Sequence, residues 1–450
     1  MTSSYLCEHA WLGGQDVAAD VLVEVAGDRI LAVTPGAQDL GLVPAGATAL
    51  PGLTVPGLAN VHSHAFHRAL RGRTQAEQGT FWTWREQMYA VAERLDPDSY
   101  LALARAAYGE MALTGITCVG EFHYLHHGPG GRWYDDPNAM GAALVEAARD
   151  AGLRLTLLDT CYLTGGIGSP LAGVQTRFGD GSADGWAKRT QDLCDRLAGA
   201  PDVRVGAAVH SVRGVPPDQI AQVANWAVER TAPLHVHLSE QVAENDACLA
   251  AYGRTPTQVL AGAGALGPRS TAVHATHLTP GDIALLGGSG TGVCFCPTTE
   301  RDLADGIGPA RDLVDRGSPL SLGSDSHAVV DLFEEARGVE LNERLASRRR
   351  GHFTAAELLT AATRTGHDAL GWGLGGVIAV GAYADLVTLG LDSIRTAGCG
   401  PSPQTAVFAA SAADVSHVVA SGRVIVQGGV HTGIGDVGRA LHEAVAAVTG

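Results

Sequence analysis

Pro56-Gly57-Leu58-Ala59-Asn60-Val61-His62-Ser63-His64 is an apolar run that ends in two histidines one residue apart. Alternate residues of a strand share a face, so the run predicts a buried strand whose end points two imidazoles the same way. Two neutral imidazoles on one face can grip a metal ion. In a chain with 18 histidines, however, a His-x-His pair decides nothing alone, and its meaning depends on partners further along.

Residues 10–53 read as short β-rich pieces, among them Val21-Leu22-Val23-Glu24-Val25, separated by Gly-Asp and Pro-Gly turns. The same texture returns in Ala384-Asp385-Leu386-Val387-Thr388-Leu389 and from His417 to Val426, so both ends are expected to build one small β-sandwich domain. The middle alternates. Strands are expected at 55–62, 117–124, 154–162, 203–211, 233–240, 270–278, 291–298 and 320–325, most of them continuous apolar runs as buried parallel strands require. Helical patterns at 98–113, 138–151, 217–230 and 331–348 lie between them, with cap or turn residues at their ends. Eight such repeats over roughly 250–320 residues predict a (β/α)8 barrel. An open doubly wound sheet would carry a glycine-rich phosphate loop after its first strand, and none is present. The expected division is 1–53 and 376–450 for the small β domain and 54–375 for the barrel. Thr354-Ala355-Ala356-Glu357 predicts a capping box opening a helix that Gly366 stops, and 436–448 reads as a terminal amphipathic helix.

With 450 residues, 46% of them hydrophobic, the chain can bury one large core and a satellite. The formal net charge of −16 argues against nucleic acid or an anionic membrane as partner, since either needs a basic face. An anionic small molecule remains compatible where a few arginines converge. The first residues carry no basic, apolar leader, and the expected setting is the cytoplasm, with eight scattered cysteines read as thiols. Cys294-Phe295-Cys296 is read as strand packing rather than a metal site.

The strand C-termini of a barrel face one mouth, and five of these strands end in residues that ligate or titrate. The first supplies His62 and His64, the fourth His210 and Arg213, the fifth His237 and Glu240, the sixth His274, and the eighth Asp325. Three imidazoles and one carboxylate suit a borderline divalent ion, zinc first, with iron or manganese as alternatives.

On these residues the sequence resembles the metal-dependent amidohydrolase superfamily, in its one-metal deaminase branch. The resemblance implies that His62, His64, His237 and Asp325 ligate one metal ion, and that Glu240, His274 and Asp325 are catalytic. No lysine stands where other branches carry a metal-bridging one. Phe81-Trp82-Thr83-Trp84-Arg85, Glu121-Phe122-His123-Tyr124-Leu125-His126-His127 and His210-Ser211-Val212-Arg213 are in turn similar to the formiminoglutamate deiminases of histidine degradation. That similarity implies a small dicarboxylate substrate held by Arg85, Tyr124, His210 and Arg213. It also marks a departure, because His67 stands where some members carry glutamine. In the implied reaction Asp325 accepts a proton from the attacking water, Glu240 protonates the imino nitrogen and His274 stabilises the tetrahedral centre.

Two other readings stay open at this level. One is a deaminase of a nucleobase or another cyclic amidine, with Trp82 and Trp84 against the base rather than in the core; the other is an inert barrel serving as a scaffold. The segment 71–95 reads as a lid or as a contact in a homodimer.

Overall fold

The computed structural model describes residues 2–75 and 81–450. Eight parallel strands follow one another in chain order around a barrel: Leu58–Ser63, Ile116–His123, Arg154–Cys161, Val203–Val209, Leu234–Leu238, Ser270–His274, Gly292–Phe295 and Leu320–Leu322. The eighth closes on the first where the chemistry gathers. The Asp325 amide donates to the His62 carbonyl at 2.9 Å, and the His64 amide to the Asp325 carbonyl at 3.2 Å.

The sixth and seventh strands are shorter than their apolar runs suggest. His274 and Ala275 adopt φ of 69° and 50°, which turns the chain out of the ladder. Pro297 opens a helix, Pro297–Asp302, where its missing N–H costs nothing. The first strand begins at Leu58 rather than Val55, because Val55 pairs with Val387 in the other sheet.

That other sheet joins both ends of the chain. Thr2–Trp11, Val17–Ala26, Arg29–Thr34 and Thr48–Pro56 share it with Leu386–Leu389, Val415–Ala420, Arg423–Gln427 and Val430–His431. The splice is the antiparallel pair Thr48–Pro56 with Leu386–Leu389, across which the buried Thr54 and Thr388 hydroxyls bond at 2.9 Å. Gly57 links this sheet to the first barrel strand. A Cβ there would lie 2.2 Å from the Thr117 hydroxyl and 2.7 Å from the Asp385 Cβ, so only glycine fits the crossing.

Buried alanines and leucines of Pro97–Leu113 and Ala139–Ala151 pack onto the barrel, and Gly152 (φ 75°) ends the second helix in the left-handed region. The terminal helix Val437–Thr449 lies against Pro97–Leu113, with Val437 and Leu441 on Ala106. The helix opened by Thr354 does not stop at Gly366. It passes through a π-helical turn and continues over Gly366–Ala369. Gly366 serves close packing instead, since a Cβ there would approach the Ala59 Cβ to 2.9 Å. No described helix is long and apolar enough to cross a membrane.

Candidate active site and metal centre

Four predicted donors meet at the barrel mouth. His62 Nε2 lies 3.0 Å from His237 Nε2 and 3.3 Å from Asp325 Oδ1, and His64 Nε2 lies 3.4 Å from the same oxygen. Two backbone carbonyls orient the rings. His64 Nδ1 faces the Phe122 carbonyl and His237 Nδ1 the His210 carbonyl, each at 2.9 Å. Nδ1–H donation to a carbonyl leaves the Nε2 lone pair free for a cation. Donors about 2.0–2.2 Å from a tetrahedral ion stand roughly 3.3–3.6 Å apart, so this spacing and these lone pairs fit a divalent ion. His274 and Cys296 also bring donor atoms within 4.8 Å of members of the cluster. Cys296, read from sequence as packing, therefore borders the site.

Burial first, then the neighbouring His62, lowers the His64 pKa to about 3, and burial likewise depresses His62 and His237. Neutral imidazoles are the ligating form. Burial would raise Asp325, but the hydrogen bond and charge of His62, with His274 and His64, hold it well below the usual carboxylate range. His274 behaves oppositely. Burial would lower it, yet Glu240, Glu300 and Asp325 raise it well above an ordinary histidine. Its Nε2 lies 3.7 Å from Asp325 Oδ2 and 3.9 Å from Glu240 Oε1, and its Nδ1 3.4 Å from Glu300 Oε1. Ser239, His274 and Asp325 hold positive φ (49°, 69° and 42°), a strain of order 1–2 kcal/mol each that turns the strand ends at the site.

A cavity opens over the donors. Every predicted site residue lines it except His62, which is wholly buried. His67 Nε2 bonds the Tyr124 hydroxyl at 3.0 Å, and Trp84 meets the His67 ring edge-on at 5.1 Å. The Trp82 side chain lies outside the described residues. His210 packs on Tyr162 with ring centroids 4.1 Å apart. Arg213 donates from Nε to Glu244 at 3.2 Å and sets Nη2 3.6 Å from Glu240 Oε2. Arg85 reaches the cavity from the helix Phe81–Arg94, part of the segment read as lid or dimer contact.

Several residues with structural claims on the site carried no sequence signal of their own. Glu121 accepts from the Ser63 hydroxyl and the Ala65 amide, both at 2.7 Å, and so grips the chain on either side of His64. It lies within one quoted motif, but nothing in that motif separates it from its neighbours. Glu244 and Glu300 reach the site only through their partners, Arg213 and His274. Of the same motif, His126 and His127 face away, toward the Thr160 carbonyl at 2.9 Å and Asp180 at 3.0 Å.

The sequence profile of the Amidohydrolase family matches residues 53–425. The chain belongs to the amidohydrolase family. It is 38% identical to a formimidoylglutamate deiminase of Pseudomonas aeruginosa, over 92% of this chain and 93% of that one. A 5-methylthioadenosine/S-adenosylhomocysteine deaminase of Natronomonas pharaonis is 30% identical over 91% of this chain and 88% of its own. The crystal structure of an amidohydrolase from Brucella melitensis superposes with a TM-score of 0.91 at 29% identity and covers all of both chains. This amidohydrolase is thus a hydrolase of C–N bonds whose substrate is a small molecule.

Proposed function

We propose that this amidohydrolase converts N-formimino-L-glutamate and water to N-formyl-L-glutamate and ammonia, with one divalent ion, zinc first, held by His62, His64, His237 and Asp325. The observation that carries the reading is a single cavity with a donor cluster at its base and two guanidinium groups, Arg85 and Arg213, on its wall. An amidine carbon at one end and carboxylates at the other are the chemistry such a cavity complements. The likeness to a formimidoylglutamate deiminase over nearly the whole chain supports the same substrate. Thiols at all eight cysteines suit a cytoplasmic setting.

A bound divalent ion would polarise the formimino group and make water nucleophilic near neutral pH. Asp325, ionised and beside His274, accepts the proton that this water gives up. Two protons must reach the terminal imino nitrogen before it leaves as ammonia: Glu240 gives one as the water oxygen bonds to carbon and is reprotonated by the tetrahedral hydroxyl, and Asp325 returns the one it took, so the glutamyl C–N bond stays intact. His274, whose pKa its three neighbouring carboxylates raise, stabilises negative charge on the tetrahedral centre. Tyr124, His210, Arg213, Arg85 and His67 hold the substrate. His67, already bonded to Tyr124, acts there through that hydroxyl.

Ammonia release is to be measured on formiminoglutamate beside adenosine, guanine and cytosine, with metal quantified in the same preparation. The expected outcome is turnover of formiminoglutamate at least about 100-fold more efficient than of any base or nucleoside. Chelation should abolish it and added Zn2+ should restore it. Preferred turnover of a base or nucleoside would replace the assignment by a nucleobase deaminase, and no turnover with metal bound would leave a scaffold.

A further inference from the structure

Tyr89 and Tyr162 line the cavity, Gln175 contacts both phenols from outside that lining, and none of the three is used by the chemistry above. The His237 ring contacts His210 at 5.2 Å and His210 contacts Tyr162 at 4.1 Å, so a whole imidazole separates Tyr162 from the nearest donor. Gln175, buried in the turn Gly173–Arg177, faces both phenols. Its Nε2 lies 3.0 Å from the Tyr89 oxygen, 3.4 Å from the Tyr162 oxygen and 3.5 Å from the Gly165 carbonyl. The amide cannot be turned around, because its Oε1 accepts from the Ala172 amide at 3.3 Å.

An amide nitrogen only donates, so a phenol oxygen bonded to it accepts; of its two hydrogens one serves Tyr89 at 3.0 Å, and Tyr162 and the Gly165 carbonyl share the other at 3.4 and 3.5 Å. Each hydroxyl then keeps its own hydrogen to give, and among the described residues neither donates to a protein group. Burial raises the Tyr162 pKa, so that hydrogen stays in place at neutral pH. Arg85 stands one helical turn before Tyr89, its guanidinium 5.6 Å from the Tyr89 ring centre, and Arg213 lines the same cavity. Two hydroxyl donors beside two positive charges are complementary to one carboxylate.

We propose that Tyr89 and Tyr162, polarised by Gln175, donate their hydroxyl hydrogens to the side-chain carboxylate of the substrate and select for it. The proposal rests on formiminoglutamate as substrate. Gln175 is the positioning residue and the two tyrosines touch substrate. The probe is N-formimino-L-norvaline, in which a methyl group replaces the side-chain carboxylate, measured by its Ki against formiminoglutamate turnover. Tyr162→Phe and Tyr89→Phe should each raise KM for formiminoglutamate about 10-fold or more, since a hydrogen bond to a charged group is lost, with kcat falling less than about threefold. The Ki of the norvaline derivative should stay within about twofold. Gln175→Glu is isosteric but only accepts, so it draws both hydroxyl hydrogens to itself and should raise KM further while leaving that Ki unchanged. Equal losses toward both compounds would reveal packing roles and overturn the clamp, as would an unchanged KM. Failure of the unmodified protein to hydrolyse formiminoglutamate would remove the function and the clamp together, whereas turnover with unshifted variants would remove the clamp alone.

Discussion

His126 shows how a histidine of a sequence motif can matter to stability rather than chemistry. It is fully buried, donates to the Thr160 carbonyl, and is faced by Asp159, Asp180, Arg189, His123 and His127. Burial and the Arg189 charge lower its pKa from 6.5 to about 4, against the pull of the two aspartates. As pH falls from 6.5 toward 4 the unfolded chain therefore binds a proton at this site that the native protein refuses, and native stability drops. The loss at His126 is about 3 kcal/mol across that window. Urea melts from pH 7 to 4 should show stability falling with pH, and His126→Gln, which keeps a donor toward Thr160, should make the slope shallower. An identical slope in the variant would show that His126 does not titrate this way. The predicted donors and proton carriers gather at the cavity, with His62 buried beneath it, because strand ends put them there; their partners Glu121, Glu244 and Glu300 came with no periodic or motif signal to single them out.

The helix Phe81–Arg94 brings Trp84, Arg85, Met88 and Tyr89 to the cavity, so its seating shapes that wall. The last carbonyls of a helix lack N–H partners. Arg177, wholly buried, adds donors there: it donates to the carbonyls of Ala92 in the last turn and of Leu95 just past it (2.6 Å), and also to that of His127 (2.8 Å), while its own carbonyl accepts from the His126 and His127 amides. Arg177→Met would leave the Leu95 and His127 carbonyls without their donor, the Ala92 carbonyl keeping the Leu95 amide, at a cost of about 3 kcal/mol or more. Calorimetry should show a lower Tm, and kinetics a raised KM. A variant with both unchanged would show that the helix is held by its apolar face alone. Gly366 marks the limit of reading elements from local signals. A glycine after a helical pattern reads as a stop, but here it lies inside the helix because the barrel strand leaves no room for a Cβ.

The two sheets are bolted together by one buried ion pair. Arg154 of the third barrel strand bonds Asp385, which precedes the strand Leu386–Leu389, and the guanidinium also lies 3.8 Å from the Tyr383 ring centre. The other Asp385 oxygen accepts from the Ser421 amide at 2.8 Å. Asp385→Ala leaves Arg154 buried without its counter-ion, so the free energy of unfolding in denaturant should fall by about 3–5 kcal/mol. A loss below about 1 kcal/mol would mean that Arg154 finds water or another partner.

The barrel was legible because a continuous apolar run of strand length has few ways to be buried, and eight of them alternating with amphipathic helices fit a closed parallel barrel. The same logic made His62, His64, His237, His274 and Asp325 visible, since residues at strand ends share one mouth. Periodicity is a property of neighbours in the chain. The cavity wall is not: Gln175 aligns tyrosines 13 and 86 residues away, and Asp385 meets an arginine 231 residues back. Which hydroxyl keeps its hydrogen, which carboxylate stays charged and where a glycine must sit depend on distances that exist only once the chain has closed on itself.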